Sequence, residues 1–137
     1  MTIEQLFKRI NATAFLKESQ LHVDFIEEGH ATGSMTINEA IRNPHGYAHG
    51  GAMYSLADVV AGAAAASLGR SVVTLNGSMN NIKPGKGTIL YADAKVISHG
   101  GHTAVVDVRV TNDMETLIAT ANFTMYFVDE TKYDHKK

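Results

Sequence analysis

Between positions 43 and 69 the sequence reads NPHGYAHGGAMYSLADVVAGAAAASLG, and Asp58 is the only acidic residue in it. The run is otherwise small and apolar, the pattern of a helix buried nearly all round. An unpaired carboxylate there is unfavourable by several kcal/mol, so Asp58 needs hydrogen-bond partners, a cavity or a neighbouring subunit. Groups held under such conditions concentrate at functional sites; the plainer alternative is a carboxylate that caps or bridges a nearby loop. The helix is entered through His49, Gly50 and Gly51. Glycines let backbone approach a ligand closely, and the first N–H groups of a helix lack partners and lie at the positive end of its dipole. Such groups can polarise a carbonyl and hold the oxyanion of acyl transfer; a glycine-rich N-cap is again the plainer alternative. His45 and His49 have a spacing that could ligate metal on a helix, but Pro44 and Gly46 break a helix there, so no metal is expected.

Composition narrows the partners. A chain of 137 residues with 45% apolar side chains suits one domain, 1–137, with a real core. Its formal net charge of −2, with scattered basic residues, argues against nucleic acid. The absence of cysteine removes disulfides, thiolate nucleophiles and Cys-ligated zinc. The start, MTIEQLFKRI, carries Glu4 and no apolar core, so it does not read as a signal peptide. The run 52–68 is too short, too rich in Ala and Gly, and interrupted by Asp58, so it does not read as a membrane span. A soluble cytoplasmic domain is the expectation.

These residues need elements to position them. Ile3, Leu6, Phe7, Ile10 and Ala14 follow helical spacing, and Thr2 with Gln5 fits a capping box, predicting an amphipathic helix over 3–18 within an N-terminal segment 1–20. Positions 21–37 read as two short strands around a turn at Gly29. A loop with Pro44 and Gly46 leads to the central helix, which begins near Gly50 and stops at Gly69. The remainder is strand. Leu90 to Val96, Ala104 to Val110 and Leu117 to Phe127 alternate with period two, separated by KPGKG, HGGH and NDME turns. The strand 72–83 carries Asn76, Ser78, Asn80 and Asn81, as a solvent-facing edge or a ligand surface would. The tail 129–137 reads as a frayed end. One sheet wrapped around one helix buries both apolar surfaces, an α+β arrangement.

The pattern N-x5-HGG-x3-SLAD, made by Asn43, His49 to Gly51 and Ser55 to Asp58, resembles the hotdog-fold thioesterases of the phenylacetic-acid-degradation type. The similarity runs over roughly residues 40–128, through the KPGKG and GGHT turns to the last strand, FTMYFV. The resemblance implies an antiparallel six-stranded sheet ordered 1-2-4-5-6-3 around the helix. It implies hydrolysis of acyl-CoA thioesters, aryl or medium-chain, without metal or cofactor. It also implies a homodimer or homotetramer whose sites take Asn43 and the HGG turn from one subunit and Asp58 from its partner.

In that reading Asp58 is nucleophile or general base and Asn43 positions substrate or water. The Gly50 N–H is the oxyanion donor, with His49 supporting its turn, and ungapped alignment back from Pro84 places Thr74 near the attacking water. Gly51, Tyr54, Lys83, Gly101 and His102 fall to substrate binding, and Tyr47, Met53, Tyr54 and Met79 to the shape of the acyl pocket. Where relatives place Lys or Arg in the 98–103 turn, this chain has His99 and His102, leaving Lys83, Lys86 or Arg70 to meet CoA phosphates. Two alternatives are a hotdog hydratase or dehydratase, using His45 with Asp58, and a non-catalytic acyl-CoA-binding module.

Overall fold

Thr2 opens the first helix by a reciprocal pair of hydrogen bonds. Gln5 N–H donates to Thr2 Oγ1 at 3.1 Å and Thr2 N–H donates to Gln5 Oε1 at 2.8 Å, the capping box the sequence predicts. The computed structural model describes residues 1–128, and the tail 129–137, read as a frayed end, lies outside the described residues. The helix expected over 3–18 is two, α1 (Ile3–Asn11) and α2 (Ala14–Ser19). Asn11 ends α1 because its side chain leaves for the sheet, donating to Val23 O at 3.0 Å and accepting from Val23 N–H at 2.8 Å. Asparagine and threonine compete with helical backbone in this way, and Thr13 becomes the N-cap of α2.

Strands β1 (Leu21–Glu27) and β2 (His30–Thr36) form a hairpin through Gly29. A short 3-10 turn over Glu39–Ile41 precedes the central helix α3 (Gly50–Ala66). Then come β3 (Val72–Asn81), β4 (Ile89–His99), β5 (Thr103–Asn112) and β6 (Leu117–Phe127). All five pairings are antiparallel and the order is β1-β2-β4-β5-β6-β3, so β3 lies at an edge beside β6. This is the hotdog fold.

The predicted alternation builds the core. Ala92, Ala94, Val106, Val108, Val110, Ala119, Phe123 and Met125 turn inward against Leu56, Ala57, Val60, Ala61 and Ala64 of α3. Contact is close enough that a Cβ on Gly33 would lie 2.5 Å from Val60 Cγ2. At the start of β6 the register slips opposite Val110 and Thr111, so Ile118 is buried and Leu117 only half-buried. Within one chain α3 is not covered all round. Asp58, Val59, Gly62 and Ala66 share a half-exposed flank between α1 and β3.

The loop ahead of α3 is pinned from outside. Ala48 N–H donates to Gly85 O at 3.0 Å, and His49 N–H donates to Ile41 O at 2.7 Å. The 83–88 loop is itself held by buried Asn112, whose Nδ2 donates to Lys86 O at 3.1 Å while its Oδ1 accepts from the N–H groups of Met114 and Thr116.

Candidate active site

Asp58 stands on the half-exposed flank of α3, where β3 passes beside it. Thr74 Oγ1 donates to Asp58 Oδ1 at 2.6 Å, a length typical of a hydroxyl bound to an ionised carboxylate. Thr74 faces inward opposite Met125, and the register breaks immediately after it, between Thr74 and Asn76. Leu75 is the extra residue of this bulge, a feature that re-aims neighbouring side chains. The other carboxylate oxygen, Oδ2, has no hydrogen-bond partner among the described residues. It borders a groove of about 800 Å³ along α3, with aliphatic side chains on its walls.

The second group of interest is the entrance to α3. His49 is the N-cap, and its Nδ1 accepts from Gly51 N–H at 3.1 Å, so Nδ1 carries no proton. Met53 N–H and Ala52 N–H both turn back to His49 O. The Gly50 N–H is left without a partner among the described residues, and no side chain at that position screens it. His49 therefore engages one of the helix's orphan donors and leaves Gly50 available to a ligand oxygen.

One chain does not bring these two groups together. From Gly50 to Asp58 the helix advances about 12 Å at 1.5 Å per residue. Asn43 stays on the Gly50 side, where its Oδ1 accepts from the N–H groups of His45 and Tyr47 at 3.0 and 3.1 Å. Its Nδ2 has no partner among the described residues.

The remaining predicted residues fall elsewhere. Tyr54 is half-buried with its ring 5.2 Å from that of Phe123, and its hydroxyl lies where a Cβ on Gly77 would sit. Met53 is in the core and Lys86 Nζ lies 5.6 Å over the Tyr47 ring; neither these nor Tyr54 and Met79 line the Asp58 groove. Lys83 is an exposed cation after β3. Gly101 accepts from Arg70 Nη1 at 2.8 Å, so Arg70 is the cation that reaches the turn holding His99 and His102. No three His, Cys, Asp or Glu side chains cluster as metal ligands among the described residues, and no described helix is long and apolar enough to cross a membrane. Ile3, Leu6 and Ile10 of α1, which line the groove, escaped the sequence reading. Their helical spacing was visible, but it says only that one face is apolar, not that a gap lies under it.

The model of the thioesterase superfamily matches residues 45–119, a span that holds the HGG turn, Asp58 and Thr74. The chain belongs to the thioesterase superfamily. Among relatives of this thioesterase, the acyl-coenzyme A thioesterase PaaI of Escherichia coli K12 is 33% identical over 102 residues, covering 72% of this chain and 73% of PaaI. The solved structure of the E. coli PaaI protein superposes with a TM-score of 0.85 at 25% identity, covering 94% of this chain and 97% of that one. A hypothetical thioesterase protein of Streptococcus pneumoniae TIGR4, crystallised with coenzyme A, superposes with a TM-score of 0.81 at 29% identity, covering 89% and 96%.

Proposed function

We propose that this thioesterase hydrolyses acyl-CoA thioesters to free acid and CoA, with Asp58 driving attack on the thioester carbonyl. The observation that carries the assignment is the Asp58 carboxylate, held through Oδ1 by Thr74 with Oδ2 facing the groove along α3. A thioester carbonyl is already electrophilic. A carboxylate that takes a proton from water or attacks directly, with an N–H to hold the oxyanion, suffices for hydrolysis. Water adds to the carbonyl carbon, the C–S bond breaks, and the thiolate of CoA leaves and is protonated. Gly50 N–H is the oxyanion donor, His49 sets its turn, and the free Nδ2 of Asn43 orients substrate or water. None of these roles requires a metal or cofactor. In S. pneumoniae thioesterase structures an aspartate and a threonine sixteen positions apart are each replaced by alanine, and Asp58 and Thr74 are separated by the same sixteen.

The separation of Asp58 from Gly50 along α3 argues for sites completed between two copies, Asp58 from one facing Gly50 and Asn43 from the other, in a homodimer or a dimer of dimers. Arg70, with Lys83 beyond β3, supplies positive charge for CoA phosphates, and Gly51, Gly101 and His102 lie on the substrate's path. The enzyme belongs in the cytoplasm. The test is Asp58→Asn, which preserves shape but not charge. Its kcat on acyl-CoA should fall by about 10²–10⁴-fold, the usual share of a positioned acid–base group. KM should change little, because the loss belongs to the transition state. Near-normal turnover in this variant would overturn the mechanism.

A further inference from the structure

We infer that Asn81 is a second donor to the thioester oxygen, its side-chain amide acting beside the Gly50 N–H; the inference rests on the reading of Gly50 as the oxyanion donor. A Cβ built on Gly50 would lie 3.5 Å from Asn81 Nδ2, so the amide stands against the first residue of α3. Both groups are uncommitted. Gly50 N–H has no partner among the described residues, and neither polar atom of the Asn81 side chain has one.

The register of β3 brings the amide there. Directly opposed residues of an antiparallel pair point to the same face of the sheet. Gly77, Met79 and Asn81 oppose Phe123, Ala121 and Ala119, all buried in the core, so Asn81 faces inward toward α3. It stays exposed because Gly50 brings no side chain to cover it. The strand thus answers the helix at three points. Thr74 gives a hydroxyl to the Asp58 carboxylate, and Gly77 leaves room for Tyr54, whose hydroxyl a Cβ there would strike. Asn81 sets a carboxamide at Gly50. Packing does not account for that last choice. An inward position opposite Ala119 suits an apolar side chain, and asparagine is a poor strand former with no hydrogen bond here to offset it.

The chemistry suits the place. As the nucleophile adds to the carbonyl carbon, the C=O electron pair moves onto oxygen, which becomes an anion able to accept from more than one donor. Gly50 offers one N–H and Asn81 Nδ2 two more. When the intermediate collapses, the pair returns to carbon, the C–S bond breaks, and the CoA thiolate leaves and takes up a proton. A neutral amide stabilises the developing charge without forming an ion pair with Asp58 in the resting enzyme, as a lysine would. Both donors come from one chain, so the pairing holds whichever copy supplies the carboxylate.

The experiment measures kcat and KM on octanoyl- and phenylacetyl-CoA, with released CoA trapped by a thiol reagent, for wild type, Asn81→Ala, Asn81→Asp and Asn80→Ala. Asn80 lies on the other face of the sheet, near Ser78 and Thr120, and its variant should turn over as wild type does. Asn81→Ala should lower kcat by about 10²–10³-fold, the usual cost of one lost oxyanion donor. KM should change little, and the fall should be equal for both thioesters, because the oxygen is common to them. Asn81→Asp keeps the shape but carries a negative charge and no donor, so it should fall at least as far. Melting temperatures of the Asn81 variants should stay near wild type, since the side chain bonds to nothing within the fold. A rise in KM alone would place the amide on CoA, and a fall confined to one thioester would place it in the acyl pocket. Either result, or unchanged kinetics, overturns the inference. Asp58→Asn separates this from the mechanism. If it abolishes turnover while Asn81→Ala does not, the donor role fails and the carboxylate stands; if it stays active, the carboxylate fails whatever Asn81 does.

Discussion

Asp58 and Thr74 lie sixteen positions apart in the chain and 2.6 Å apart in space, and the pair shows what one residue can and cannot do alone. The threonine hydroxyl has one proton, which it gives to Oδ1, so it keeps the carboxylate aimed without occupying both of its oxygens. His49 divides labour in the same manner. By accepting from Gly51 N–H it stabilises the start of α3 and leaves Gly50 N–H uncommitted. Loss of that acceptor should be visible in stability. His49→Ala should lower unfolding free energy by about 1 kcal/mol, the usual value of an N-cap, while His49→Asn, which retains a capping oxygen, should recover most of it in denaturant titration. If alanine and asparagine are equally destabilising, the imidazole contributes by packing and not by capping. Both glycine and aspartate were legible in the sequence because each is out of place in its surroundings. Family resemblance places Thr74 near the attacking water, but its contact with Asp58 comes from the fold, since the bulge at Leu75 has no sequence signal in so polar a strand.

At the scale of elements, the entrance to α3 is held by turns far away in the chain. Asn112 fastens the 83–88 loop, and that loop accepts from Ala48, the residue before His49. Asp113 adds a second fastening. Its Oδ1 accepts from Thr88 N–H and its Oδ2 from Thr88 Oγ1, each at 2.9 Å. These bonds favour the ionised form and hold its carboxyl below the ordinary 3.8, the Thr88 backbone bond contributing most. Because the folded value lies below the unfolded one, the contribution is complete above the ordinary carboxylate range. It is lost as pH falls through the depressed value. Asp113→Ala should therefore melt below wild type near neutral pH, and the difference should close as pH drops past 3.8. A difference that persists into acid would mean the charged form is not what holds the loop. The sequence reads NDME as a plain turn, and local chemistry says no more. That Asn112 and Asp113 grip another loop follows from how β4 and β5 are paired. The break between α1 and α2 has the same origin: Asn11 has moderate helix propensity, but Val23 offers it two hydrogen bonds only once β1 is in place.

In the whole molecule, one chain holds the uncommitted Gly50 N–H and the Asp58 carboxylate about 12 Å apart along α3 by helical rise. Its edge strand β3 exposes Val73 and Leu75, 47% and 62% accessible, where a second copy can pair. The shared-site reading makes a direct prediction. Asn43→Ala and Asp58→Asn should each be inactive, yet a mixture reassociated at equal concentration should regain activity in about one quarter of its sites, because a twofold heterodimer rebuilds one intact site in two. No recovery, with sedimentation showing that heterodimers form, would confine the site to one chain. What the sequence determined by itself was everything set by neighbours in the chain. That includes the period-two faces of β4 to β6, the Thr2 capping box, the glycine entrance to α3 and the misplaced charge of Asp58. Short-range sterics and hydrogen bonding encode these directly. What the tertiary structure alone decided was which distant groups meet: Thr74 under Asp58, Asn112 behind the 83–88 loop, and the gap beneath α1. An apolar helix face is the same in sequence whether it closes on the core or stands over a groove; packing determines which.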